Sequence, residues 1–150
     1  MLLRSGSAAY SATGAETRIS YHIALLAKAC EIAGQLEEAF SLLNNALQIA
    51  TRTGERWFAA ELYRHKGQLM LRQGHSEAAE ELYRQALMIA KEQEAKLWEL
   101  RAAISLARLV GNQGRRSEAR ELLAPVHGWF TEGLDTPDLK NATAVLNELR

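Results

Sequence analysis

Gly34, Gly74 and Gly114 stand 40 residues apart. No other feature constrains the fold as tightly, because self-similarity at a fixed period marks stacked, repeating units. The register extends beyond the glycines. Five residues on come Ala39, Ala79 and Ala119, and three further on Leu42, Leu82 and Leu122. Ala46-Leu47-Gln48-Ile49-Ala50 returns as Ala86-Leu87-Met88-Ile89-Ala90. One domain over residues 1–150 therefore divides into repeats at 21–60, 61–100 and 101–140, the third matching less closely. Thr13-Gly14 precedes Thr53-Gly54 by the same interval. Residues 1–20 thus read as half of an earlier repeat, and the chain as a fragment of a longer protein. Thr136 and Pro137 read as the cap and first position of a closing helix over 137–149.

Each repeat reads as two helices. Before Gly74, the residues Leu62, Tyr63, Leu69 and Met70 mark one amphipathic helix. After it, Ala79, Leu82, Tyr83, Ala86, Leu87 and Ala90 recur at spacings of three and four, a helical stripe. The glycine between them suits a left-handed cap and a tight turn. Ser76 reads as the N-cap of the second helix, with Glu77 in its first turn. Helices of about 15–18 residues follow, within the usual range. Each hairpin then buries one face and offers the other to its neighbour, which is how a solenoid closes its core. The fold class expected is all-α, an antiparallel helix-hairpin solenoid. Pro125 lies inside the second helix of the third repeat and is expected to kink or shorten it. Gly128 weakens it further, and the region through Gly133 reads as an irregular helix end of a degenerate terminal repeat.

Composition narrows the function. Eighteen Lys and Arg balance 18 Asp and Glu, which argues against a general nucleic-acid or membrane-surface binder. With 47% apolar and 24% charged residues the chain reads as folded rather than disordered. A single cysteine excludes an internal disulfide framework and a multi-cysteine metal site. Cys30 falls at a core position and reads as a buried thiol. No apolar run has the length of a membrane span. The start, Met1-Leu2-Leu3-Arg4-Ser5-Gly6, lacks a signal-peptide core, so a cytoplasmic location is expected.

Neither the Gly-x-x-x-x-Gly-Lys-Ser/Thr phosphate loop nor the Gly-x-Gly-x-x-Gly fingerprint occurs. His22, His65, His75 and His127 have no metal-ligand spacing and read as scattered surface histidines. Asp135 and Asp138 lie near a helix start and read as capping residues. Trp57 and Trp98 stand near the starts of first helices and read as packing, with Trp129-Phe130 under the closing helix. No catalytic, cofactor-binding or metal residue is expected, and no cofactor.

These residues resemble the tetratricopeptide repeat, a family that sets large and small residues at fixed positions across two helices. The second repeat carries Tyr63, Gly67, Met70, Ala79, Tyr83 and Ala86 there. The first carries Ile23, Ala27, Cys30, Ala39, Leu43 and Ala46, and the third Ala103, Ala107, Val110, Ala119, Leu123 and Val126. The usual unit is about 34 residues. This longer one has Thr51, Lys91 and Thr131 in place of the family's closing proline. The segments Leu97-Trp98-Glu99-Leu100-Arg101, Gly114-Arg115-Arg116 and Leu122-Leu123-Ala124-Pro125-Val126 look more specifically like the C-terminal end of large bacterial signalling proteins. Those join a class III adenylate/guanylate cyclase or DNA-binding domain to a signal-transduction ATPase and then to helical repeats.

The resemblance implies that first helices line a concave groove. Its partner-facing candidates are Lys28, Arg64, His65, Gln68, Arg72, Arg101, Arg108 and Asn112. Five of the groove-facing residues are Lys or Arg and two, Glu31 and Glu61, are acidic, a segregation that steers anionic partners. The plainer reading of such charges is a solvated helix face. The carboxylate clamp of chaperone-binding relatives is not reproduced, since its Lys/Asn pair is missing from the first repeat. The functional reading is a non-catalytic protein–protein interaction module, the C-terminal regulatory part of a larger signalling protein. Its partner would be an acidic protein or peptide, or another domain of the parent. The alternative is a sensor that binds a small effector in the groove and controls a parent ATPase or cyclase. The half repeat leaves Leu2, Leu3, Ala9 and Tyr10 with an open side, an edge expected either to pair with a second chain as a homodimer or to fray.

Overall fold

A computed structural model describes residues 19–150. The half repeat and the dimer edge expected at Leu2, Leu3, Ala9 and Tyr10 lie outside the described residues. Within them are seven helices: α1 (Ile19–Ile32), α2 (Leu36–Thr53), α3 (Ala59–Arg72), α4 (Ser76–Glu92), α5 (Lys96–Asn112), α6 (Arg116–Trp129) and α7 (Pro137–Glu148). Each packs on the next, and α3 also touches α5, as α5 touches α7. The structure is an all-α helical repeat. None of these helices is long and apolar enough to cross a membrane.

The hairpin turns explain the 40-residue period. Gly74 takes φ +85°, where a side chain would be strained, and Gly34 and Gly114 do the same one period away. The amide of the next residue then reaches back five residues to close the helix end. His75 N–H donates to Met70 O at 2.9 Å, Gln35 to Cys30 at 2.8 Å, and Arg115 to Val110 at 3.0 Å. That same residue starts the following helix, its carbonyl accepting from Ala39, Ala79 or Ala119 at 3.0 Å. His75, not Ser76, therefore holds the N-cap position; Ser76 is the first helical residue. The turn needs its last residue to end one helix and begin the next, which leaves no room for a separate cap.

Small residues let the paired helices approach closely. Ala39, Ala46, Ala79, Ala86 and Ala119 are fully buried, with Leu43, Tyr83 and Leu123 filling the space between. Of the 18 positions matched to the family pattern, all but Tyr63 and Met70 are buried. Cys30 is buried within this core.

The third hairpin departs from expectation in detail. Helix α6 runs through Pro125 to Trp129, with 14 residues against 17 in α4. Pro125 and Glu121 are both exposed, so the carbonyl that loses its donor faces water rather than the core. Irregular backbone then spans 130–136, with Gly133 at φ +66°. Phe130 packs against the core beside α7, but Trp129 does not. Its ring is 57% exposed, with the Lys96 ammonium 5.4 Å above it.

Helix α7 lays Leu139, Ala142 and Val145 on α5 and α6. Gly111 permits this approach, because a Cβ there would meet Leu149 Cδ2 at 2.8 Å. Arg116 donates to the carbonyl of Arg150 at 3.2 Å and Arg120 to that of Leu149, satisfying the end of the chain with cations.

Candidate functional site

Helices α1, α3, α5 and α7 bound a groove of about 690 Å³. Seven of the eight candidates line it: Lys28, Arg64, Gln68, Arg72, Arg101, Arg108 and Asn112. The repeat explains the convergence, since Lys28, Gln68 and Arg108 are one residue position seen three times, one period apart. His65 is the exception. Its Nε2 lies 3.3 Å from Glu61 Oε2, a partner 2% exposed. It is neither a groove residue nor the scattered surface histidine of the sequence reading.

Glu61 organises the wall from behind. Arg64, one helical turn on, grips both of its oxygens through Nε at 3.1 Å and Nη2 at 2.8 Å. Arg101 Nη1 of α5 comes within 4.0 Å of the same carboxylate. Burial alone would raise the Glu61 carboxyl. Hydrogen bonds from His65 and Arg64, with their charges, outweigh it and hold the group down at about 2. Glu61 is thus a fixed anion that points cations outward.

Glu31 plays a looser part. Lys28 Nζ and Arg72 Nη1 each approach it at 3.2 Å, so one carboxylate serves two cations from two helices. Arg101 donates from Nε and Nη2 to Asp138 Oδ2, both at 3.1 Å. The Arg101 guanidinium also lies 5.3 Å over the Trp98 ring. Arg108 Nη2 donates to Asn141 Oδ1, a neutral amide. Five cations therefore meet three carboxylates, Glu31, Glu61 and Asp138. The surplus positive charge falls around Lys28, Arg72 and Arg108.

The floor of the groove includes Tyr83, from a second helix. Its ring reaches through α3 at Gly67, where a Cβ would stand 2.7 Å from Cε1. Burial pushes the Tyr83 hydroxyl up to about 12, so it stays protonated at any ordinary pH. Outside the groove lining, Tyr21, Phe58 and Trp98 form edge-to-face pairs at 5.2 and 5.6 Å, with Trp57 beside Phe58 at 5.3 Å. Among the described residues no group of three His, Cys, Asp or Glu is arranged to hold a metal ion.

Tyr83, Asp138 and Asn141 are groove residues that sequence reasoning missed. Tyr83 was accounted for as packing, and the aspartate as a cap. Asp138 does stand in the first turn of α7, but its carboxylate goes to Arg101, and Thr136 at the N-cap position makes no side-chain cap bond. The signal was present for Asn141, which stands one period after Arg101. Treating α7 as the first helix of a further repeat places it on the groove.

The family model described as tetratricopeptide repeat matches residues 16–92, the stretch that holds the first two hairpins. The chain belongs to the tetratricopeptide repeat family. Repeats of this family generally mediate protein–protein interaction. The third tetratricopeptide hairpin, α5 and α6, lies beyond the matched stretch but repeats the Gly34 and Gly74 turns at Gly114. No curated protein matches the sequence.

Proposed function

We propose that the chain is a non-catalytic interaction module whose groove holds an acidic segment of a partner protein, or of another domain of the same protein. One observation carries this reading: a chain of zero net charge gathers five cations against three carboxylates on one lined face. Arginine supports it further, since its planar donors pair with carboxylates two at a time. Lys28, Gln68, Arg72, Arg108 and Asn112 would make the contacts, while Arg64 is committed to Glu61. The likeness to C-terminal repeats of cyclase–ATPase signalling proteins supports a regulatory setting inside a larger cytoplasmic protein.

The groove volume also falls in the small-ligand range of about 300–1,000 Å³, which favours the effector-sensing alternative. Small-molecule sites are mostly apolar, however. Here Leu71, Ile104 and Leu109 are outnumbered by charged and amide side chains, so a peptide fits better.

The test is a titration of the ¹⁵N-labelled protein with decaglutamate, and separately with decalysine, followed by amide shifts. Decaglutamate is expected to move Gln68, Ser105 and Asn112 and to lose affinity with added salt. Shifts confined to α2, α4 and α6, or equal binding of decalysine, would refute the reading.

A further inference from the structure

One acidic group of the chain itself already sits against the groove cations. Asp138 accepts two hydrogen bonds from Arg101, and one helical turn later Asn141 accepts one from Arg108. Arg101 and Arg108 are two turns apart on α5, so their guanidiniums rise from one stripe. Arg101 is positioned in advance, with its guanidinium carbon 5.3 Å over the Trp98 ring and the Glu61 carboxylate 4.0 Å from Nη1.

The Asp138 pair is not what docks α7. Leu139, Ala142, Val145 and Leu149 do that from the other side of the helix. The pair itself is open to water, with Arg101 33% and Asp138 29% exposed, and contacts of that kind add little net stability. A carboxylate held where it is not needed for folding, on an arginine already fixed from behind, can be exchanged.

We propose that Arg101 and Arg108 form a carboxylate-binding subsite of which Asp138 is the displaceable resident, so that an acidic partner enters by taking Arg101 from Asp138. This rests on the reading of the groove as a binder of acidic segments, and adds how that segment is selected. Two turns of helix separate the arginines by about 10 Å. A peptide in the polyproline II conformation returns to the same face every three residues, about 9 Å on, so carboxylates three residues apart match that distance. A single acidic side chain would gain little, because it must compete with Asp138 at effective concentrations far above its own. Two or more, reaching both arginines, would win. Asp138 thus sets a threshold that screens out weakly acidic segments.

The experiment measures binding of fluorescein-labelled decaglutamate by anisotropy to the wild-type chain, to Asp138→Asn, to Arg101→Gln and to the double variant. Asp138→Asn is expected to tighten binding about three- to tenfold, as one guanidinium and its charge-assisted hydrogen bonds become available. The gain should vanish in the Arg101→Gln background. In the wild-type chain the Arg101 Nε–H resonance should move as peptide is added, which needs no variant to fold. Wild-type binding with no gain in Asp138→Asn, a gain that survives Arg101→Gln, or a stationary Arg101 resonance would each overturn the subsite and leave the groove reading standing. Absence of decaglutamate binding in both the wild type and Asp138→Asn would overturn both.

Discussion

Glu61 shows how one buried charge is made tolerable. Its displacement from 4.5 to about 2 corresponds to roughly 3 kcal/mol in favour of the folded, ionised state. Because the folded value lies below the unfolded one, this stability is fully present above 4.5 and is lost as pH falls toward 2. Glu61→Gln is expected to cost about 2–4 kcal/mol near neutral pH by leaving Arg64 and His65 without their anion. It should also flatten the acid limb, so that the gap between wild type and variant narrows in urea melts as pH falls from 4.5 toward 2. A constant gap across that range would remove Glu61 from this role. Two glycines make a contrasting pair. Gly67→Ala would gain about 1 kcal/mol of helix propensity. Its Cβ would strike the Tyr83 ring at 2.7–2.8 Å, an overpacking that costs about 1–3 kcal/mol. Gly128 has nothing within 4 Å, so Gly128→Ala should stabilise by up to about 1 kcal/mol. Thermal melts of the two variants should move in opposite directions.

At the scale of the element, one turn breaks the glycine rule. Glu94 stands one period after Gly54 and, like it, is left-handed, at φ +54°. Ala95 N–H still reaches back to Ala90 O at 2.9 Å, so the turn between α4 and α5 has the form of the turns at the three period glycines. A non-glycine residue there costs about 1–2 kcal/mol of steric strain. Glycine would return about 0.5–1 kcal/mol of that through unfolded-state entropy. Glu94→Gly is therefore expected to raise stability by about 0.5–1 kcal/mol in denaturant melts, and a loss would mean that the carboxylate has a role of its own. This turn also shows what the sequence could convey. The hairpin turns were legible because glycine marks them and the period repeats them. The α4–α5 turn carries no such mark, since backbone hydrogen bonds alone hold a glutamate there. The groove was legible for the same reason as the turns: Lys28, Gln68 and Arg108 share one register. Asp138 was not, because its partner lies on another helix and its local sequence, just after Thr136-Pro137, fully justifies a capping role. His65 was misplaced because a helix face drawn from spacing does not show that Glu61 behind it will claim the imidazole.

Across the molecule, charge and packing are both organised by nearest neighbours. One apolar cluster gathers residues of α1, α2 and α3, and a larger one those of α4 through α7. Between the second and third hairpins, Glu80 and Glu118 alternate with Arg84 and Arg115 at 2.5–3.0 Å. Their hydrogen bonds to the two arginines hold both carboxyls below the usual range. The corresponding positions of the first two hairpins are Phe40, Asn44, His75 and Ala78, which cannot form that ring. A stack held by contacts between neighbours should lose stability locally when one contact is cut. Leu139 of α7 is the place to cut, being 3% exposed and buried against the third hairpin. Leu139→Ala is expected to cost about 2–4 kcal/mol there. In native-state hydrogen exchange, the slow amides of α5 and α6 should lose protection while those of α1 and α2 change little. Uniform loss from α1 to α6 would instead make the described helices one cooperative unit. The groove would then be a rigid surface whose two ends respond together to an acidic partner.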